Sequence, residues 1–284
     1  MGIKDYLIKI KRAKEVKDWL KRGKTPPTPQ MIKQFVVRSY GETYKIDTLI
    51  ETGTYTGDMI EAVKPYFKEI YSIELSEILW EKCKKRFCNS KHKVTYQKFL
   101  NKEGEKIFKS GNFVNLKEYN GEMGTFKGLN QKGFANINLF CGDSAKVLLK
   151  ILLISESDII KTETKWEGDI NKDTKQLINR MQYPLIKKNL ANSAGSGHRE
   201  IAIDEFHPLR KLFWLDAHYS GGEQTPIVKE IDIVLKDNPK HIILIDDARL
   251  FDGTNDYPTL DTIKNYVSTL GKTMKVEDDI IRIT

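Results

Sequence analysis

The feature of this sequence that most constrains its fold is an alternation of short apolar segments with helix-like segments, which starts near residue 47. Apolar segments that are followed by turns and then by residues at helical spacing predict βαβ units with right-handed crossovers. Such units build a parallel sheet that is covered by helices on both faces. Strands are predicted at 47–51, 69–74, 137–141, 211–216 and 241–246, and a closing hairpin pairs 274–276 with 280–283. The expected fold class is therefore α/β, with a doubly wound, mostly parallel seven-stranded sheet and a C-terminal antiparallel hairpin.

Residues 1–46 precede this alternation and are expected to form a helical extension. Apolar residues recur there at near-helical spacing, which predicts an amphipathic helix over 3–22. The proline-rich segment 25–29 cannot continue that helix, so a second helix begins near Gln30. The sequence therefore predicts an N-terminal helical extension followed by one domain over 47–284.

Two polar stretches, about 89–135 and 154–209, are much longer than typical connections. Each lies between the end of a helix and the start of a strand, which predicts that it is rooted at the amino edge of the sheet, opposite the ligand crevice. One interpretation is structural elaboration or a contact in a homo-oligomer. The other is that one insertion reaches the substrate, for which 154–209 is the better candidate because Gly195–His198 predicts a loop.

The positive charge of the chain is concentrated at one end. The formal net charge is +8, but residues 1–24 contain nine Lys or Arg against three acidic residues, an excess of +6 that leaves about +2 for the remainder. A basic groove with interleaved aromatic residues, typical of nucleic-acid binding, is not visible in the sequence. Helix 3–22 is basic on one side and carries Trp19 on the other, so contact with a membrane surface is an alternative to packing on the domain.

Hydropathy and cysteine content bear on the compartment. No apolar run approaches the roughly 18 residues that span a bilayer, and the first residues lack the apolar stretch of a signal peptide. The three cysteines, Cys83, Cys88 and Cys141, lack metal-ligand spacing and are expected to be free thiols in a reducing compartment. These observations predict a cytoplasmic protein.

The turn after the first predicted strand has the sequence Glu51-Thr-Gly-Thr-Tyr-Thr-Gly57 and opens a helix. Glycines in this context let the backbone approach a ligand closely. The next two strands also end in acidic residues: Glu74, which lies 23 residues after Glu51, and Asp143, which lies beside Ser144. A carboxylate at the first of these positions suits two ribose hydroxyls, and the second pair suits an adenine amino group. The acidic residues are therefore expected to line one crevice.

The charge and spacing of this turn distinguish between cofactors. A dinucleotide site usually has G-x-G-x-x-G and holds a pyrophosphate at the helix N-terminus. Here the spacing is G-x-x-x-G behind an acid, which suits the cationic amino and sulfonium groups of S-adenosyl-L-methionine (SAM) and repels phosphate. The motif resembles the first motif of class I SAM-dependent methyltransferases, with a tyrosine in place of the middle glycine. That resemblance implies a Rossmann-like fold and a SAM site comprising Glu51, Gly53, Thr54, Tyr55, Gly57, Glu74, Asp143 and Ser144.

A second acidic group follows the fourth and fifth predicted strands. Asp216 ends the fourth strand, and Asp246 and Asp247 end the fifth. Carboxylates this close are costly unless they are paired or bind a cation. The arrangement resembles that of metal-dependent O-methyltransferases acting on small molecules such as catechols and some sugars, which implies these three residues as ligands of Mg²⁺ or another divalent cation. The alternative is that Asp247 pairs with Arg249.

His218 lies two residues beyond Asp216, and we predict that these two residues are catalytic, with His218 as the general base. The alternative is that the histidine only orients its loop. The stretches 48–87 and 211–260 also resemble a widespread bacterial group with E-T-G-T-Y-x-G, L-D-x-H-Y-S-G-G and I-D-D-A-R-x-F segments. Members often accompany polysaccharide biosynthesis genes, which implies a sugar-like acceptor.

The sequence therefore predicts SAM-dependent O-methylation of a small hydroxylated acceptor, such as a sugar or glycan precursor. One alternative is an RNA or DNA methyltransferase. Amino-methylating enzymes of that class have an Asp/Asn-Pro-Pro-Tyr/Phe segment after the fourth strand, whereas this chain has Asp216-Ala-His-Tyr219 and neither proline. The other alternative is a SAM-fold protein that acts mainly as a membrane-surface or interaction module through helix 3–22.

Overall fold

The computed structural model describes residues 3–88, 93–99, 123–127, 135–152, 210–217 and 225–284. The strands are β1 (Thr48–Thr52), β2 (Glu69–Glu74), β3 (Lys93–Lys98), β4 (Met123–Lys127), β5 (Asn136–Cys141), β6 (Leu212–Leu215), β7 (Ile242–Ile245), β8 (Met274–Glu277) and β9 (Ile280–Ile283). The helices are α1 (Ile3–Lys21), α2 (Gln30–Thr43), α3 (Asp58–Val63), α4 (Glu77–Cys88), α5 (Ser144–Ile151), α6 (Ile227–Asp237) and α7 (Leu260–Thr269).

The strands form one sheet in the order β4-β3-β5-β2-β1-β6-β7-β9-β8. Strands β5, β2, β1, β6 and β7 are parallel, and β9 pairs antiparallel with both β7 and β8. The chain first builds outward from β1 to β5 and then returns to place β6 on the other side of β1. Ligands of open α/β sheets bind at such a reversal, outside the carboxyl ends of the strands. The predicted Rossmann-like α/β class with its C-terminal antiparallel hairpin is confirmed.

All seven predicted strands are present, and two further strands come from the first insertion. Strand β3 pairs in parallel with β5 from Lys93 opposite Asn136 to Lys98 opposite Cys141, and β4 returns antiparallel to β3. Because β3 runs the full height of β5, it carries the insertion from the amino edge to the carboxyl edge of the sheet. This insertion therefore reaches the carboxyl edge from roots that lie at the amino edge, as predicted. Residues 153–209, with the predicted Gly195–His198 loop, lie outside the described residues.

The sheet is covered on both faces, as its apolar strands require. Strands β6 and β7 are buried along their whole length, which explains their uninterrupted apolar sequences. One core cluster contains apolar residues of α5, α6 and α7, and the other contains residues of α2, α3 and α4. Cys83, Cys88 and Cys141 are free thiols, as predicted.

The N-terminal helices pack on the domain beside the turn after β1. Trp19 of α1 is only 1% exposed. Arg12 Nη2 lies 2.9 Å from Asp58 Oδ2 at the start of α3, and Gln34 Nε2 of α2 donates a 3.0 Å hydrogen bond to the Asp58 carbonyl oxygen. The tryptophan that the interfacial interpretation places against lipid is thus inside the protein. Among the described helices, none combines the length and apolarity needed to cross a membrane.

Candidate cofactor and acceptor site

The turn that joins β1 to α3 is held in place by its two glycines. Gly53 has φ +81° and Gly57 has φ +77°, in the left-handed region that favours glycine. The Gly53 amide donates a 2.9 Å hydrogen bond to the Ile73 carbonyl of β2. A side-chain carbon at Gly53 would overlap the carbonyl group of Asp216, which follows β6. The turn is therefore packed directly against the ends of both neighbouring strands.

Tyr55 occupies the position of the missing middle glycine. Its φ of +51° is one that residues other than glycine seldom adopt. Its amide donates a 2.7 Å hydrogen bond to Glu74 Oε2, and its side chain is 66% exposed. The tyrosine thus keeps a glycine-like backbone while its ring points away from the packed side of the turn. The substitution leaves the turn intact.

Glu51 is buried at the floor of the site, with 1% of its surface exposed. Its Oε2 atom accepts a 2.6 Å hydrogen bond from Ser72 Oγ, which also lies 2.5 Å from Thr54 Oγ1. Burial, followed by the neighbouring charges of Asp216 and Glu74, raises the pKa of Glu51 to about 8 against the lowering effect of the Ser72 hydrogen bond. At neutral pH the buried carboxyl is therefore mainly protonated in the free protein.

Glu74 is fixed by two backbone amides at the end of β2. Oε2 accepts from Tyr55, as described, and Oε1 accepts a 2.9 Å hydrogen bond from the Ser76 amide. Burial raises the pKa of this carboxyl, although the hydrogen bonds from backbone amides oppose the shift. The carboxylate is thus held in one orientation at the rim of the turn.

A cavity of about 720 Å³ opens at the reversal point of the sheet. Its lining joins the turn after β1 to the ends of β2, β5 and β6, and includes Glu51, Gly53, Thr54, Tyr55, Glu74, Ser144 and Asp216. Gln30 of α2 also lines it. The size falls within the range of about 300–1,000 Å³ that is typical of small-molecule sites. Seven of the predicted site residues therefore meet in one cavity.

Two predicted cofactor residues act around this cavity rather than in its described lining. Asp143 is the N-cap of α5, where its Oδ1 accepts a 3.0 Å hydrogen bond from the Lys146 amide. Gly57 lies against α4, where an added side-chain carbon would come within 2.7 Å of Cys83 Sγ. Asp143 thereby orients α5, whose first residue Ser144 reaches the cavity, and Gly57 allows α3 and α4 to pack closely.

The second acidic group is assembled as predicted. Strands β6 and β7 are adjacent and in parallel register, so Asp216 at the end of one lies beside Asp246 and Asp247 at the end of the other. One carboxylate oxygen of each residue lies within 4.8 Å of the others. Burial, followed by the charge of Asp216, raises the pKa of Asp246, and Lys33 opposes that shift. We call Asp216, Asp246 and Asp247 the acidic triad.

Lys33 of α2 is the residue of this site that the sequence did not reveal. Its Nζ atom forms an ion pair with Asp246 Oδ2 and lies 3.4 Å from Asp247 Oδ1. Burial lowers the pKa of this ammonium, but the charges of the acidic triad outweigh it and leave the pKa raised. The buried residues of α2 include a second polar side chain, Gln34, so the sequence pattern of this helix does not single out Lys33.

Three carboxylates match the oxygen ligands of a hard divalent cation. In this chain, however, the Lys33 ammonium already lies against two of the three, so the residues present do not fit a divalent ion in this arrangement. Arg249 adds a second cation, with Nη1 2.8 Å from Asp247 Oδ1, which confirms the alternative pairing of Asp247. His218 lies outside the described residues.

Comparisons with known proteins give a distant likeness only. No protein-family profile and no curated protein matches the chain. Among solved structures, the O-methyltransferase TomG from Streptomyces achromogenes, in complex with SAM, is 10% identical over 96% of this chain and 87% of its own, with a TM-score of 0.40. An O-methyltransferase from Bacillus cereus with S-adenosylhomocysteine (SAH) is 10% identical over 96% and 89%, with a TM-score of 0.40. An SAH-bound methyltransferase from Podospora anserina is 10% identical over 96% of this chain and 86% of its own, with a TM-score of 0.38.

Proposed function

We propose that this protein is a SAM-dependent methyltransferase that acts on a hydroxyl oxygen of a small acceptor, such as a sugar or glycan precursor. The observation that carries the proposal is the single cavity at the reversal point of the sheet, in which Glu51 and Glu74 face the same space as Asp216 of the acidic triad. The residues proposed to bind the cationic nucleoside therefore share a cavity with a member of the acidic triad, whose carboxylates are suited to binding hydroxyl groups.

The cofactor end of the cavity matches the charge of SAM. Glu51, once ionised, supplies a buried negative charge for the amino group, and the hydrogen-bonded Glu74 carboxylate is suited to the ribose hydroxyls. Ser144, in the first turn of α5, lines the same cavity and is proposed to lie beside the adenine. A pyrophosphate in the same place would be repelled by Glu74 and would gain no charge attraction from Glu51, so a dinucleotide is disfavoured.

The chemistry required at the acceptor end is modest, because SAM carries an activated methyl group. The acceptor oxygen attacks the methyl carbon, the carbon–sulfur bond breaks, and sulfur leaves as the neutral thioether of SAH. The hydroxyl proton passes to a base, for which we propose His218. The main task of the protein is to align oxygen, carbon and sulfur. Asp216 links the cofactor cavity to the acidic triad and is proposed to orient the acceptor hydroxyl.

Replacing Asp216 with asparagine tests this assignment. We expect SAH to bind nearly as tightly as in the wild type, while methyl transfer falls by about 100-fold or more, because removing one preorganised group at the reacting centre has effects of that size. Radiolabelled SAM with a panel of monosaccharides, nucleotide sugars and catechols would measure transfer. Asp261→Asn is the matched control, since this exposed residue lies on α7 away from the cavity. Equal activity of the two variants would remove Asp216 from the site.

The two other interpretations of the sequence remain predictions with direct tests. Binding to RNA or DNA at low salt, with the steep salt dependence of phosphate contacts, would favour a nucleic-acid methyltransferase. Cosedimentation with anionic vesicles would favour a membrane-surface module. The packing of Trp19 and Arg12 against the domain favours neither. The divalent cation at the acidic triad also remains a prediction. The ion pairs of Lys33 with Asp246 and Asp247 argue against it.

A further inference from the structure

We infer that the ammonium group of Lys33 is the built-in cation of the acceptor site and takes the place that a divalent metal ion would occupy on the acidic triad. It would hold the three carboxylates in position without a metal. The part of this inference that concerns catalysis rests on the proposed function, whereas the part that concerns cation binding does not.

The geometry of Lys33 is that of an enclosed ion pair rather than of a surface lysine. Only 11% of its side chain is exposed, against 2% for Asp246 and 15% for Asp247. The ammonium contacts both carboxylates, and the charge of Asp216 also acts on it. An ammonium group that is so enclosed is stable only when its carboxylate partners are present, because an unpaired buried ion destabilises the fold.

Lys33 is also held in place by the helix that carries it. Val36 and Val37, one turn further along α2, are buried in the core, and the Gln34 amide group is bonded to the start of α3. Just before the helix, Thr28 Oγ1 donates a 2.6 Å hydrogen bond to the Asp278 carbonyl oxygen. The ammonium therefore cannot leave the acidic triad by a movement of the helix without breaking these contacts.

A divalent ion would compete with the Lys33 ammonium for the same oxygen of Asp246. A magnesium ion binds oxygen at about 2.0–2.1 Å and demands near-octahedral geometry. The Lys33 ammonium already contacts Asp246 Oδ2, so a metal ion on that oxygen would lie against a like charge in a buried site. We therefore expect a divalent ion to bind only by displacing the Lys33 ammonium from Asp246, and the ammonium has the advantage of being covalently attached.

The experiment measures Mn²⁺ binding by electron paramagnetic resonance in the full chain, with Lys33→Met as the test variant. We expect no saturable binding to the wild type at about 1 mM Mn²⁺, and at least roughly tenfold tighter binding once the ammonium is removed, because affinity rises with the number of free ligand charges. The gain should disappear in Lys33→Met/Asp246→Asn. Lys68→Met is the control, because Lys68 is exposed and pairs with Asp47 at the opposite edge of the sheet.

Wild-type protein that binds Mn²⁺ as tightly as Lys33→Met would overturn the inference, as would binding that survives Asp246→Asn. Circular dichroism and urea unfolding report whether each variant is folded, and Lys33→Gln is the second variant if the methionine disturbs the helix. Once an acceptor is found, we expect wild-type methyl transfer to persist in excess chelator. We also expect Lys33→Met to lose methyl transfer and to regain part of it when Mg²⁺ is added. Wild-type transfer that the chelator abolishes would contradict the inference. Failure to find any transfer would count against the proposed function and leave the Mn²⁺ result decisive for Lys33.

Discussion

Gly53→Ala is expected to abolish SAH binding and to destabilise the protein by about 3 kcal/mol or more, the range of severe overpacking and backbone strain. The added methyl group would overlap the carbonyl of Asp216, which is backbone and cannot rotate away. Alanine would also have to adopt φ +81°. Relief of the overlap requires the turn to move away from the end of β6, and this movement would open the floor of the cavity.

Gly271→Ala separates the two causes. Gly271 has φ +70°, but a side-chain carbon there meets nothing within 4 Å. This control should therefore show only the backbone cost, about 1 kcal/mol, and normal SAH binding. Urea unfolding and calorimetric titration with SAH would measure both quantities. A Gly53→Ala variant that matches Gly271→Ala in stability and in affinity would show that the turn is not packed as described.

Cofactor binding is expected to release a proton and to strengthen as the pH rises toward 8. The pKa of Glu51 is raised to about 8 in the free protein, so at pH 7 the carboxyl must lose its proton to meet the ammonium group of SAM or SAH. Below pH 8 the affinity should therefore rise with pH by at most about tenfold per unit and level off above it. Calorimetry at pH 7 in two buffers of different ionisation enthalpy would count the released proton.

Glu51→Gln removes this coupling while keeping an oxygen that can accept from Ser72. We expect affinity to fall by about 10- to 100-fold at pH 8, the range for losing a charge-assisted hydrogen bond, and proton release to cease. Glu42→Gln is the control, since Glu42 pairs with Arg38 on the surface of α2. A Glu51→Gln variant that binds SAH with wild-type affinity and still releases a proton would assign the titration to another group.

The same pKa shift predicts how the free protein responds to pH. In the folded state the carboxyl of Glu51 keeps its proton up to about pH 8, whereas in the unfolded chain it ionises near its ordinary value of 4.5. The contribution of this group to stability is thus fully present below that value and is lost as the pH rises through the window to about 8. Between these limits Glu51→Gln should lose less stability with rising pH than the wild type does.

The sequence predicted those parts of the fold that depend on local patterns. Uninterrupted apolar segments identified β6 and β7, and turn chemistry identified the strand–turn–helix unit at Gly53 and Gly57. Strands β3 and β4 were missed because β3 is polar and only partly buried, with Val94 as its one fully buried residue. Such a strand, which lies next to the edge strand β4, carries too few apolar residues to stand out within a polar insertion.

Some residues of the candidate site could also be predicted from the sequence, and others could not. The positions of Glu51, Glu74 and Asp216 could be predicted from the sequence. Residues at the carboxyl ends of parallel strands converge at one edge of the sheet, independently of the conformation of the connecting loops. Lys33 could not, because its partner Asp246 lies 213 positions away and no periodicity links the two. Asp143 caps α5, a role that was not predicted, and its contact with an adenine amino group stays a prediction.

The ion pair between Lys33 and Asp246 also determines the stage of protein synthesis at which the acceptor site can form. A ribosome releases the N-terminal helices long before it has made β7, so Lys33 must wait for 213 further residues before its partner emerges. Thr28 waits still longer for Asp278, which is 250 positions away. Closing such wide loops is entropically costly until the intervening sheet has formed. Nascent chains that stop short of β7 should therefore carry a cofactor turn without a finished acceptor site.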